Sequence, residues 1–175
     1  MKYLLLLIAI VVTLSCQSKK TPLFTIAAAA NVQFALADIV AVFEEKHGVK
    51  TNIVIGSSGK LAAQIQQGAP YSVFVSADKK YPEFLFKNGK ATTLPENYAI
   101  GFLAGWSNKD LNIKEITDLK KTAIKKIAIA NPKTAPYGVQ AEKVLKYYNL
   151  WDSVQHKLVF DENIAQTNQY ILSGA

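Results

Sequence analysis

From Phe24 onward, short apolar runs of strand length alternate with stretches whose apolar residues recur every three or four positions, and this alternation confines the chain to folds of parallel strands covered by helices. Phe24 to Ala28 reads as a buried strand. A helix is expected from Val32 to Lys46, because Val32, Ala35, Leu36, Ile39, Val40 and Phe43 keep helical spacing and Gly48 stops it. Val49 to Ile55 reads as a second strand, and Leu61 to Gln67 as a short helix after the tight turn Gly56-Ser57-Ser58-Gly59. Gly68-Ala69-Pro70 ends that helix, Ser72 to Ser76 is a third strand, and Asp78 opens a helix that closes at Asn88-Gly89. The pattern changes after Leu94-Pro95. Tyr98 to Trp106 is expected as a strand leading away from the first unit. A helix at Ile116 to Lys121, a strand at Lys126 to Ala130 and a helix at Gly138 to Tyr148 come next. After a turn at Trp151-Asp152 follow a strand from Lys157 to Phe160 and a helix from Ile164 to Leu172. The expected fold class is therefore α/β, with two lobes at residues 22–97 and 98–175, each a mostly parallel sheet flanked by helices. Gly174 follows the last helix, where a glycine normally introduces a further element, so the second lobe is expected to be incomplete at Ala175.

The N-terminus has the marks of an export leader over residues 1–15. Lys2 is a short positive start, and Leu4 to Leu14 is an apolar run too short to span a bilayer as a helix. Ser15 precedes Cys16, the only cysteine, and Gln17-Ser18-Lys19-Lys20 begins a polar tether over residues 16–21. A small residue before a lone cysteine resembles the bacterial lipoprotein box, in which the cysteine is acylated, although Thr13 and Leu14 depart from its commonest form. The expectation is a periplasmic or cell-surface chain held to a membrane through Cys16. The plainer alternative is an ordinary cleaved leader with Cys16 incidental.

The formal net charge of +7 admits nucleic acid, an anionic surface or an anionic ligand as partner. Export argues against nucleic acid, as does the lack of aromatics among the lysines. Lys109, Lys114, Lys120, Lys121, Lys125 and Lys126 crowd one segment and read as a solvated face with a mild attraction for anions. Enzyme signatures are weak. His47 and His156 stand apart from cysteines and carboxylates, and His47 sits where it can meet a helix C-terminal dipole. Gly-Ser-Ser-Gly at 56–59 is not the Gly-x-Ser-x-Gly elbow, and no glycine-rich segment fits a nucleotide loop.

What remains is a set of helix starts. Asn31 follows the small residues Ala27 to Ala30, Ser58 follows Gly56, Tyr137-Gly138 follows Ala135-Pro136, and Asn163-Ile164 opens the last helix. In an open parallel sheet such starts lie at the carboxyl ends of strands, where ligands bind. Each carries unpaired N–H groups and about half a positive charge, a ready site for an anion. Taken singly, Asn31 and Ser58 read as plain helix caps and Tyr137 as packing. The repetition across both halves is what favours a site.

These segments resemble the periplasmic molybdate-binding proteins of ABC transporters. The likeness is carried by Ile26-Ala27-Ala28-Ala29-Ala30-Asn31, by Gly56-Ser57-Ser58-Gly59-Lys60-Leu61-Ala62-Ala63-Gln64-Ile65, by Gly68-Ala69-Pro70 with Val73 to Asp78, and by Asn131-Pro132-Lys133-Thr134-Ala135-Pro136-Tyr137-Gly138. The resemblance implies a periplasmic-binding-protein type II fold that closes on its ligand by hinge motion. It implies no enzyme activity, no cofactor, a monomeric chain, and permease and ATPase subunits as partners. By position, the oxyanion contacts would fall on Asn31, Ser58, the Tyr137 amide and the Ile164 amide, reaching the metal only through its oxygens. A tyrosine hydroxyl supplied late in the family, and the return of the chain to the first lobe, have no counterpart before Ala175. Ser72 stands where the family usually has Asp. Sulfate, phosphate or another oxyanion is the nearest alternative ligand. A serine-dependent enzyme and the sensing domain of a transcription regulator are more distant alternatives.

Overall fold

The computed structural model describes residues 23–174. The expected leader, the tether and Cys16 lie outside the described residues. Within them, β1 (Phe24–Ala29), β2 (Thr51–Gly56) and β3 (Val73–Val75) form a parallel sheet in the order β2-β1-β3. A second parallel sheet joins β4 (Ile127–Ala130) to β5 (Leu158–Asp161). The helices are α1 (Gln33–His47), α2 (Ser58–Gln66), α3 (Lys80–Lys87), α4 (Pro136–Tyr147), α5 (Trp151–Val154) and α6 (Ile164–Leu172). None among the described residues is long and apolar enough to cross a membrane.

β1 lies between its neighbours because it is the strand that tolerates burial on both faces, and Thr25 to Ala29 are all buried. Its register sets Ile26 opposite Ile53 and Val73, and Ala29 opposite Gly56. On one face Leu36 and Val40 of α1 pack against Ile26 and Ala28, with Phe24, Ile53, Ile55 and Val75 around them. α2 packs on β1 and on α3, burying Leu61, Ala62 and Leu85. The stop at Gly48 forms as expected: its φ is +66°, and its N–H reaches the Glu44 carbonyl at 2.8 Å. In the second half, Leu145, Leu150 and Val154 make the centre of the core, with Ile116, Leu119, Ile127, Trp151 and Leu158 packed on it.

Two expected elements differ. Tyr98 to Trp106 forms no strand. A strand needs a neighbouring backbone, and none among the described residues runs beside it. Ile100 and Phe102 are each 84% exposed, and the Tyr98 hydroxyl donating to the Ser76 carbonyl at 2.9 Å ties the segment down. Residues 116–120 form a 3-10 helix rather than an α-helix, held at its start by reciprocal bonds of Glu115 and Asp118. The α3 start also moves from Asp78 to Lys80, because the Asp78 N–H bonds the Ser76 hydroxyl at 3.3 Å in a local turn.

Lys157, expected to open β5, ends a 3-10 turn over Gln155–Lys157. It is 7% exposed and its ammonium donates to the carbonyls of Leu119, Lys120 and Lys121 at 3.0, 3.1 and 2.8 Å. A buried cation thus satisfies three carbonyls at the end of the 116–120 helix, where the dipole is negative. Lys157→Met is expected to lower stability by about 2 kcal/mol, since three charge-assisted bonds to part-buried carbonyls are lost. The check is a reduced urea midpoint with an unchanged slope. Gly138 is a second constraint: a Cβ there would lie 2.0 Å from the Ala130 carbonyl oxygen. Gly138→Ala is expected to cost about 1–3 kcal/mol through that overlap, read as a lower melting temperature.

Candidate functional site

The four helix starts converge. Asn31, Ser58, Tyr137 and Ile164 line one cavity at the carboxyl ends of β1, β2, β4 and β5. Ala29, Ala30, Gly56, Ser57, Ala77, Ala135, Pro136 and Asn163 complete its wall. The small residues at the ends of β1 and β2 are what let the helix starts approach this closely. The cavity is narrow, with interior room for about one water molecule.

Each start presents a different free donor, and local sequence decides which. In α2 the first helical bond runs from the Leu61 N–H to the Ser57 carbonyl at 3.1 Å, so the amides of residues 58–60 precede the ladder. The Gly59 N–H crosses to the Thr134 carbonyl at 2.9 Å. The Ser58 hydroxyl, fully buried, accepts from the Ala77 N–H at 3.0 Å. With that lone pair engaged, its hydrogen is left to donate elsewhere. In α4, Pro136 occupies the first position and has no N–H, so the Tyr137 amide is the first donor the helix offers. In α6, the Asn163 side-chain oxygen takes the Ala165 and Gln166 amides at 3.0 and 3.2 Å. The Ile164 amide is the one this cap leaves over. Asn31 does not cap: it lies inside a 3-10 helix over Ala30–Val32 whose start has no side-chain cap, and it is exposed.

Among the described residues no charged side chain lines the cavity. Lys60 and Glu162 pair at 3.0 Å, one from each half. The close approach at Gly59 leaves no room for a side chain, since a Cβ would meet the Thr134 carbonyl oxygen at 2.6 Å and the Tyr81 hydroxyl at 2.7 Å. Burial, and then the Asp78 carboxylate, hold the Tyr81 phenol above its ordinary range, so it stays protonated. The Tyr137 ring reaches the segment between the halves, where a Cβ on Gly101 would lie 2.6 Å from its hydroxyl. The lining holds neutral donors and helix ends, with no histidine or carboxylate to act as a base. Among the described residues no group of three or more His, Cys, Asp or Glu is placed for a metal ion.

Every site residue expected from sequence within the described region therefore faces the same cavity, while Cys16 lies outside that region. Ser57 and Asn163 were not among the expected site residues, although both stand beside one that was. The doubled serine and the Asn-Ile pair were the available signals.

Residues 24–175 match the family model described as bacterial extracellular solute-binding protein. The molybdate-binding protein ModA of Azotobacter vinelandii is 40% identical over 151 residues, covering 85% of this chain and 60% of that relative. The molybdate-binding protein ModA of Rhodobacter capsulatus is 35% identical over 149 residues, covering 85% of this chain and 59% of its own length. The solved Azotobacter vinelandii periplasmic molybdate-binding protein superposes with a TM-score of 0.80 at 36% identity, covering 86% of this chain and 67% of that one. The chain thus spans about 60% of the length of the first of these curated relatives.

Beside the site, at the end of β5, Asp161 has a buried carboxylate oxygen with no hydrogen-bond partner among the described residues. Burial pushes its carboxyl up, against a smaller lowering by the Thr167 hydroxyl. A raised folded-state value means that the folded chain holds this proton more tightly than the unfolded chain. The ionised group therefore costs stability at neutral pH, and the cost disappears as pH falls through the raised value toward the ordinary one. Asp161→Asn is expected to melt higher than wild type at pH 7, with the difference shrinking toward pH 4. Thermal melts of both proteins across that range supply the check.

Proposed function

This chain belongs to the bacterial extracellular solute-binding protein family, and we propose that it is the capture component of an ABC importer for a small tetrahedral oxyanion, molybdate or tungstate. The observation that carries this reading is the convergence of four helix starts on one uncharged cavity. The names of the two curated relatives, both molybdate-binding proteins, support the choice of ion.

The donors described above suit a dianion that can only accept. The Ser58 hydroxyl, the Asn31 amide and the backbone N–H groups of Tyr137 and Ile164 would point at its oxygens, and the metal would be touched through those oxygens alone. Hydrogen bonds to a charged acceptor contribute about 1.5–3 kcal/mol each, and the helix ends add their dipoles without bringing a counter-charge. Among the described residues no carboxylate lines the wall, so a protonated oxyanion such as hydrogen phosphate would find only neutral acceptors for its proton, whereas a fully deprotonated dianion uses every donor. Sulfate would be disfavoured by size, because its bonds are shorter than those of molybdate and it would not reach every donor of a wall opened to fit molybdate. Molybdate and tungstate are too close in size to be told apart.

Seating an ion of four oxygens requires the halves to part slightly from the present closure. The contacts that hold them, Gly59 to Thr134 and Lys60 to Glu162, would break and re-form with each cycle. In this reading the two halves act as lobes divided near residue 97, and the closed form is what permease and ATPase subunits receive. Acylation of Cys16 would keep the protein beside them at the membrane.

Calorimetric titration of the full chain with molybdate, tungstate, sulfate and phosphate tests the ligand. Molybdate and tungstate are expected to bind most tightly and about equally, and preferential binding of sulfate or phosphate would overturn the choice. Ser58→Ala and Asn31→Ala are each expected to weaken molybdate about tenfold or more, from one lost charge-assisted bond. Unchanged affinity in both would reduce these residues to parts of the fold.

A further inference from the structure

One polar group in the wall has no task in the reading above. Ser57 is 3% exposed, and its hydroxyl oxygen is buried without a hydrogen-bond partner among the described residues. It occupies the cap position of α2 with the extended backbone of a capping residue (φ −78°, ψ 146°), yet its side chain makes no cap bond. A serine in that position ordinarily accepts from the second or third amide of the helix. Here the second amide, Gly59, is drawn across to the Thr134 carbonyl at 2.9 Å. The contact that joins the halves therefore removes one of the two donors Ser57 would have capped. Ser58 does not relieve it: the one bond its hydroxyl makes among the described residues is the one it accepts from the Ala77 N–H.

A buried hydroxyl left without a partner is destabilising, and a native fold rarely keeps one without a reason. Ser57 lines the same cavity as Asn31, Ser58, Tyr137 and Ile164. We propose that the Ser57 hydroxyl is a further donor to the bound oxyanion, which supplies the partner this group lacks within the protein. The inference rests on the oxyanion reading and adds a residue to it. The two neighbouring serines then differ in kind. Ser58 is held in place by Ala77 whether or not an ion is present. Ser57 is held by nothing and would find its bond on capture.

That difference gives opposite signs for two measurements. The full chain and its Ser57→Ala variant are titrated with molybdate by calorimetry, and both are melted without ligand. Loss of a donor that serves only the ligand is expected to weaken binding about tenfold, while leaving the ligand-free melting temperature unchanged or higher. An unchanged affinity overturns the inference, and it does so most plainly if the ligand-free variant also melts lower, since the hydroxyl would then serve the fold. Ser57→Cys separates donor from shape, because the thiol nearly keeps the volume but donates weakly. It is expected to bind more weakly than wild type, and wild-type affinity in this variant also overturns the inference. If the wild-type chain binds none of the four oxyanions, the oxyanion reading itself falls and this inference with it. If wild type binds and only the Ser57 variants are unaffected, the inference falls alone.

Discussion

The first amides of a helix have no carbonyl behind them within that helix, and much of this molecule is arranged around where those amides find partners. A parallel sheet delivers every following helix start to the same edge. Here the carboxyl ends of two such sheets bring starts from both halves around one cavity. The partners are then allotted by local chemistry. A proline removes one donor at α4, an asparagine side chain consumes two at α6, and a carbonyl from the opposite half consumes one at α2. Three of the residues that carry what is left over, Ser58, Tyr137 and Ile164, line the cavity.

Close approach makes that allotment possible. The ends of β1 and β2 carry alanine and glycine, and β1 from Ala27 to Ala29 is almost wholly buried. Gly59 and Gly138 are tight for the same reason, each sitting against a backbone carbonyl where any side chain would intrude. The backbone of one half thus touches the backbone of the other directly, and the Lys60–Glu162 pair at the rim is an accessory to that contact, half exposed and of small energy.

Much of this was legible in the chain itself. Buried parallel strands are nearly pure apolar runs, so β1, β4 and β5 announce themselves, and Gly48 and Gly89 mark helix ends through backbone conformations that other residues avoid. Helix starts at strand ends follow from alternation, and the resemblance to molybdate-binding proteins is what assigned the contacts among them to Asn31, Ser58, Tyr137 and Ile164 before any coordinates. The Tyr98 to Trp106 segment could not be read in this way. Its composition is that of a strand, but pairing depends on a neighbour that local sequence does not contain. Ser57 escaped notice for a related reason. Two adjacent serines look alike in a sequence, and which of them is satisfied depends on Ala77 and Thr134, residues brought near only by folding.

The absence of charge in the cavity wall, set against a chain whose formal charge is +7, separates two stages of encounter. The outer field draws in anions of every kind, and dissolved salt screens it within about 10 Å. Among the described residues the inner wall carries no ionised side chain to be screened, and on the proposed reading its grip would depend on how many oxygens are met at once. Ionic strength should therefore govern how often an anion arrives, while the fit between ion and wall governs how long it stays.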